Sequence, residues 1–101
     1  MQQIAIEGLP DDPLQAAGSF YNEWLAQIER SLGQGSDVMI CIPAADHTHH
    51  EWRKAAVAML ARKHTPPRVN MVGGSGVHAR AAIAYLASAH GVTGQYLEAA
   101  S

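Results

Sequence analysis

Apolar positions along the chain change their spacing several times, and each change marks an element. "QQIAIEG", residues 2–8, is a short β-branched run closed by Gly8 and Pro10, which predicts a strand. "DDP" opens a helix, with Asp12 as cap and Pro13 in the first turn, where a missing N–H costs nothing. Leu14, Ala17, Tyr21, Trp24, Leu25, Ile28 and Leu32 then recur at steps of three and four, with Phe20 widening the stripe. Gly33 and Gly35 close this helix. "DVMICIP" shows no alternation, the pattern of a strand covered on both faces. Thr48 followed by Glu51 has the form of a capping box, so a second helix is expected to begin near Thr48. Its apolar face is read as Trp52, Ala55, Ala56, Met59 and Leu60, and Pro66 and Pro67 stop it. "RVNMV" predicts a third strand. "GGSG" leads into the alanine-rich helix "VHARAAIAYLASAH", which Gly91 ends, and "QYLE" is a last short strand.

Strand and helix therefore alternate three times before a closing strand. That order predicts an α/β domain, β-α-β-α-β-α-β, with about four parallel strands and three helices. Right-handed crossovers are expected to restrict the arrangement further. With 101 residues the chain supports one core and one domain.

Composition narrows the function classes. Hydrophobic residues make up 48% and charged residues 16%, which fits an ordinary folded domain and no disordered tail. Seven basic residues are scattered along a chain of net charge −2, so no nucleic-acid face is expected. The start "MQQIAIEGLPDD" lacks the features of a signal peptide, and no apolar run approaches a membrane span, so a cytoplasmic location is expected. The single cysteine, Cys41, sits in an apolar run and reads as a buried hydrophobe.

Two local stretches could carry chemistry. In "DHTHH", Asp46, His47 and His50 could form a two-histidine, one-carboxylate face for a divalent metal. With no further ligand group in sight, polar loop and first-turn residues are the plainer reading, and no metal is expected. "GGSG", Gly73 to Gly76, stands between strand and helix like a phosphate-binding turn, but it lacks the lysine and Ser/Thr of a P-loop. His64 and His90 sit at helix C-termini, where the dipole suits them as cations.

"PPRVNMVGG" and "AAIAYLASAHGVTGQYLE" resemble the C-terminal half of the short-chain dehydrogenase/reductase (Rossmann-fold) family. The matching pieces are Arg68, Val69, Asn70 and Val72, then Tyr85 to Ser88, then Val92 to Gln95. Working backwards, "HEWRKAAVAMLARKH" is similar to the family's catalytic helix and "QAAGSFYNEWLAQI" to the helix before it. The likeness covers nearly the whole chain and is strongest in its last third.

The resemblance implies a truncated, half-Rossmann domain over residues 1–101 that lacks the dinucleotide-binding half, so no cofactor is expected. The family's Y-x-x-x-K pair falls on His50 and Lys54, and its serine near Pro43 and Ala44, which carry no hydroxyl. Its asparagine falls at Gln15. His50 and Lys54 therefore read as relics of a degenerate site, and the chain as no enzyme. In the family, two helices corresponding to residues 13–32 and 48–64 pack against the same pair of another subunit. Phe20, Tyr21, Trp24, Trp52 and Met59 are the interface candidates here. The function expected is a non-catalytic interaction or structural subunit. It would be a homodimer, or form a hetero-oligomer with a short-chain dehydrogenase-type subunit. The alternative is a small binding protein or enzyme using the Gly73–Gly76 turn with His50 and Lys54 on an anionic ligand.

Overall fold

The computed structural model describes residues 1–99. Four strands, β1 (Gln2–Ala5), β2 (Val38–Ile42), β3 (Val69–Gly73) and β4 (Tyr96–Glu98), form one parallel sheet in that order. Parallel neighbours need a crossover between them, and each gap holds helix. The first gap contains α1 (Pro13–Ser19) and α2 (Leu25–Gly33), joined by a π-helical turn, Phe20–Trp24. The second holds α3 (His50–His64) after a 3-10 turn, His47–His49, and the third holds α4 (Gly76–Ser88). The α/β half-Rossmann arrangement read from the sequence is the observed one.

Register divides the side chains between two layers. Ile4, Ile40, Met71 and Tyr96 stand abreast across the four strands and pack toward one face. Cys41, Val72 and Leu97 form the opposite row. The first face is covered by the π turn, α2 and α3, which contribute Phe20, Ile28, Leu32, Ala56, Val57 and Leu60. The second is covered by α4 through Ala79 and Leu86. Central strands flanked in this way have no exposed side, which is why β2 and β3 carry no alternation.

This placement departs from one expectation. All three connections advance in the same direction across the sheet, yet the last crosses the opposite face. It therefore has the opposite hand to the first two, whereas right-handed crossovers throughout would have put every helix on one face. Local bonds explain how the exception is held. Arg68 Nη1 donates to the carbonyls of Leu86 (3.2 Å) and Ala89 (2.8 Å), and Nη2 donates to Ala87 (3.3 Å). One guanidinium thus adds a charged donor to three carbonyls at the end of α4, two of which, Leu86 and Ala89, also accept a backbone N–H from Ala89 and Val92. Buried Asn70 then holds the return loop, donating to the Val92 carbonyl at 3.1 Å and accepting from the Gln95 N–H at 3.0 Å. The "RVN" signature is a clamp for α4 and the chain that follows it.

The helical stretch 13–33 also differs in phase from the sequence reading. Ala16, Phe20, Ile28 and Leu32 are fully buried, while Leu14 is 82% exposed. Four-residue steps in an α-helix drift by about 40° each, so such a row should wind off the sheet. The π turn, closed by Leu25 N–H bonding to the Phe20 carbonyl, takes in an extra residue and returns the row to one face.

At the start of α3, the Asp46 carboxylate accepts from the Thr48 N–H (2.9 Å) and from its hydroxyl. Asp46 is therefore the cap, of the 3-10 turn, and α3 begins at His50 rather than at a capping box on Thr48.

Candidate functional site

Parallel α/β sheets place ligands beyond the carboxyl ends of their strands. Here the loops after β1 and β2 diverge at that edge and leave a cleft of about 450 Å³. Its walls include Gly8 to Asp11, Pro43 to Asp46, His49 and Arg53. Pro43 and Ala44 are exposed there and offer no hydroxyl.

Two buried polar side chains of the α3 region face this edge. His49 is 5% exposed. Its Nδ1 accepts from Trp52 Nε1–H at 3.1 Å, and its Nε2 lies 2.9 Å from the Asp11 carbonyl. Since indole is a donor only, the ring proton sits on Nε2, and both nitrogens are used in tying α3 to the β1 loop. Arg53 is 3% exposed. Its Nη1 donates to the Tyr96 hydroxyl at 3.1 Å, and its guanidinium lies 5.7 Å from the Trp52 ring centre and 5.9 Å from that of Tyr96. Its Nε is buried without a partner.

His50 and Lys54 share one face of α3 but are not joined to the cleft. His50 Nε2 is in ion-pair contact with Glu98 Oε2, without hydrogen-bond alignment, and its ring lies 5.9 Å from that of Tyr96. Lys54 is exposed and makes no ion pair among the described residues. Asp46, His47 and His50 do not converge either: no group of three metal-ligating side chains occurs among the described residues. Asp46 serves Thr48, whose hydroxyl and N–H hold its carboxyl below the usual range.

The glycine turn has a steric account. A Cβ on Gly73 would lie 2.6 Å from the Tyr96 hydroxyl and 3.1 Å from Arg53 Nη1. Gly74 has φ +120, and its Cβ would meet the Ala99 carbonyl at 3.2 Å. Gly73→Ala should push Tyr96 off Arg53 and cost about 1–3 kcal/mol in a urea melt. A loss indistinguishable from zero would mean that Gly73 is not held by this packing.

The interface candidates divide by exposure. Phe20 is in the core, 5.4 Å from the Trp52 ring, and Trp24 and Trp52 are partly buried against the same cluster. Tyr21 and Met59 remain exposed, at 37% and 47%. They border a small apolar groove between the α1–α2 stretch and α3, with Leu25 and Leu60 at its floor and Glu29 and Lys63 beside it. Lys63 and His64 both contact Glu29 Oε2, at 2.6 and 2.7 Å, and their hydrogen bonds hold that carboxyl below its usual range. Cys41 is half-buried and its thiol is pushed up by desolvation, which fits an unreactive side chain.

The sequence reading missed His49, Arg53 and Tyr96. A signal for two of them was present: His49 and Arg53 stand one turn apart on the stripe that continues through Ala56, Val57, Leu60 and Ala61. Polar residues at core-periodic positions are the informative kind.

No helix among the described residues is long and apolar enough to cross a membrane. No curated protein and no solved structure is significantly similar to the chain. A family model described as short chain dehydrogenase-like protein matches residues 4–99, the span that includes all of β2 to β4 and the loops forming the cleft. With that match covering nearly its full length, the chain belongs to the short-chain dehydrogenase-like family.

Proposed function

We propose that this chain is a non-catalytic member of its family that acts as an assembly module, pairing with a second copy through the α1–α2 and α3 faces. The observation that carries this reading is the groove bordered by Tyr21 and Met59. Both side chains are large, apolar and exposed, on the two helices through which the resembled enzymes associate. The groove is flanked by one acid and one base, Glu29 and Lys63. They pair with each other at 2.6 Å within one chain, so a second copy related by a two-fold axis can cover the groove without stranding a lone charge.

The non-catalytic part of the reading rests on the other edge of the sheet. His50 contacts Glu98, and Pro43 and Ala44 supply no hydroxyl to hold a substrate oxygen beside an acid. The glycine-rich turn between β3 and α4, Gly73 to Gly76, is too short for the dinucleotide fingerprint.

Sedimentation tests the assembly. The wild type should run as a dimer at micromolar concentration, while Met59→Lys, placing a charge at the groove, should run as a folded monomer. A wild type that remains monomeric at about 100 μM, far above the dissociation constant of a stable dimer, would defeat the reading. Dimerisation unaffected by Met59→Lys and Tyr21→Lys would place the interface elsewhere.

A further inference from the structure

We propose that the cleft beyond β1 and β2 binds a small carboxylate-bearing molecule, with Arg53 as the group that receives the carboxylate. Arg53 carries a buried charge that no ion pair among the described residues engages. Arg53 is 3% exposed, and a guanidinium does not shed its proton to escape burial. Buried charges are ordinarily paired, because removing one from water unpaired is costly. The ion pairs among the described residues engage His50, Lys63, His64 and Arg68, and none engages Arg53.

What surrounds Arg53 softens its charge but does not balance it. The faces of Trp52 and Tyr96 lie near the guanidinium, and the Tyr96 hydroxyl accepts one hydrogen bond. All of these are neutral. Nε remains buried with no acceptor. The same side chain lines a cleft of about 450 Å³ that opens at the carboxyl edge of the sheet, large enough for a small organic acid. Its fixed fork of donors matches a carboxylate.

The rim selects the ligand's charge. Asp11 and Asp46 line the same cleft, and the cap geometry keeps Asp46 ionised. A dianionic phosphate would meet two carboxylates and a single guanidinium. A monocarboxylate on Arg53 meets less repulsion from those aspartates than a dianion does, and an ammonium or hydroxyl at its other end would offset what remains. His49 makes no competing claim, since both of its nitrogens are already bonded.

This site is independent of the assembly interface, which lies between helices on the outer side of the layer, so sedimentation and ligand titration report on the two separately. The test is NMR titration of the wild type with acetate, glycine or inorganic phosphate, at ionic strength held constant with sodium chloride. Acetate and glycine should give saturable shifts at the Arg53 Nε–H and at the amides of Ala44 and His49. Arg53→Met should weaken both ligands at least about tenfold, the cost of losing a charged hydrogen bond, while raising the ligand-free Tm by about 5 °C. Ala44→Glu, which brings a carboxylate into the cleft while leaving Arg53 in place, should raise Tm and block acetate. The absence of saturable shifts up to about 50 mM, beyond the range of millimolar affinity, would overturn the proposal. Equal responses from wild type and Arg53→Met would also overturn it, as would tighter binding of phosphate than of acetate.

Discussion

Phe20→Ala should be the most damaging single truncation in the α1–α2 stretch, costing about 3–5 kcal/mol. Phe20 has no exposed surface and fills the space between the π turn, Trp52 and the first face of the sheet. Domains of this size have only about 5–15 kcal/mol of total stability, so the variant should melt more than about 12 °C below wild type. Leu14→Ala is the matched control. Both residues lie on or beside the apolar stripe read from the sequence, yet Leu14 is 82% exposed and its truncation should stay within about 0.5 kcal/mol of wild type. Urea melts of the two variants decide the matter. Comparable losses would mean that the π turn does not set the phase of this helix, and a Phe20→Ala cost under about 1 kcal/mol would mean that the site collapses to fill the cavity.

That contrast also marks the limit of reading this helix from its pattern. Periodicity located the element and its ends, because Asp12, Pro13 and the glycines after Leu32 act locally. It could not locate the π turn, which has no strong composition of its own and depends on what the helix packs against. Phase after such a turn cannot be counted at 3.6 residues, so Phe20 was assigned to the edge of the stripe instead of its centre. Strands β2 and β3 were legible for the opposite reason: a strand buried on both faces needs apolar residues almost everywhere, whatever covers it. The hand of the last crossover was not legible, since strand and helix lengths are the same for either hand. The bonds that hold it run from Arg68 and Asn70, which the pattern of "RVNMV" shows only as members of a strand.

The cleft was hidden by a similar cause. Hydropathy treats His49 and Arg53 as breaks in the apolar face of α3, and the stripe was drawn through Ala55 and Met59, both exposed. Taking the two polar residues as core members keeps Ala56 and Leu60 in the stripe, replaces Ala55 and Met59 with Val57 and Ala61, and brings Arg53 to the end of the sheet. Exposed Met59 then stands on the outer side of the helix, beside the apolar groove it shares with Tyr21. One misplaced phase had merged a core, an edge site and a surface into a single apolar face.

Arg68→Ala should cost about 2–4 kcal/mol, because one side chain ties three elements together. Its guanidinium bonds Asp37 before β2 at 3.1 Å and the carbonyls of Leu86, Ala87 and Ala89 at the end of α4. Its removal leaves those carbonyls with at most a backbone partner, Ala89 N–H on Leu86 and Val92 N–H on Ala89, at the one crossover whose hand goes against the general preference, so α4 should lose amide protection before the rest of the chain. Asp37 makes the clamp sensitive to acid. The Arg68 backbone N–H, and then its guanidinium, hold the Asp37 carboxyl below its usual range. A group whose folded pKa is depressed contributes stability that is complete above its unfolded pKa, near pH 4, and lost as pH falls through the folded value. Wild type should therefore weaken below about pH 4, and Asp37→Asn should flatten part of that decline while lowering stability at neutral pH. Glu29, depressed by Lys63 and His64, and Asp46, depressed by Thr48, contribute further shares with the same sign, so only a triple variant with Glu29→Gln and Asp46→Asn should remove most of the slope. Melts from pH 2.5 to 7 and hydrogen exchange at the α4 amides provide the measurement, at intervals of about half a unit around the carboxylate range. An acid limb in Asp37→Asn as steep as that of wild type, or α4 amides that exchange no faster in Arg68→Ala than those of α3, would show that the clamp does not hold this crossover.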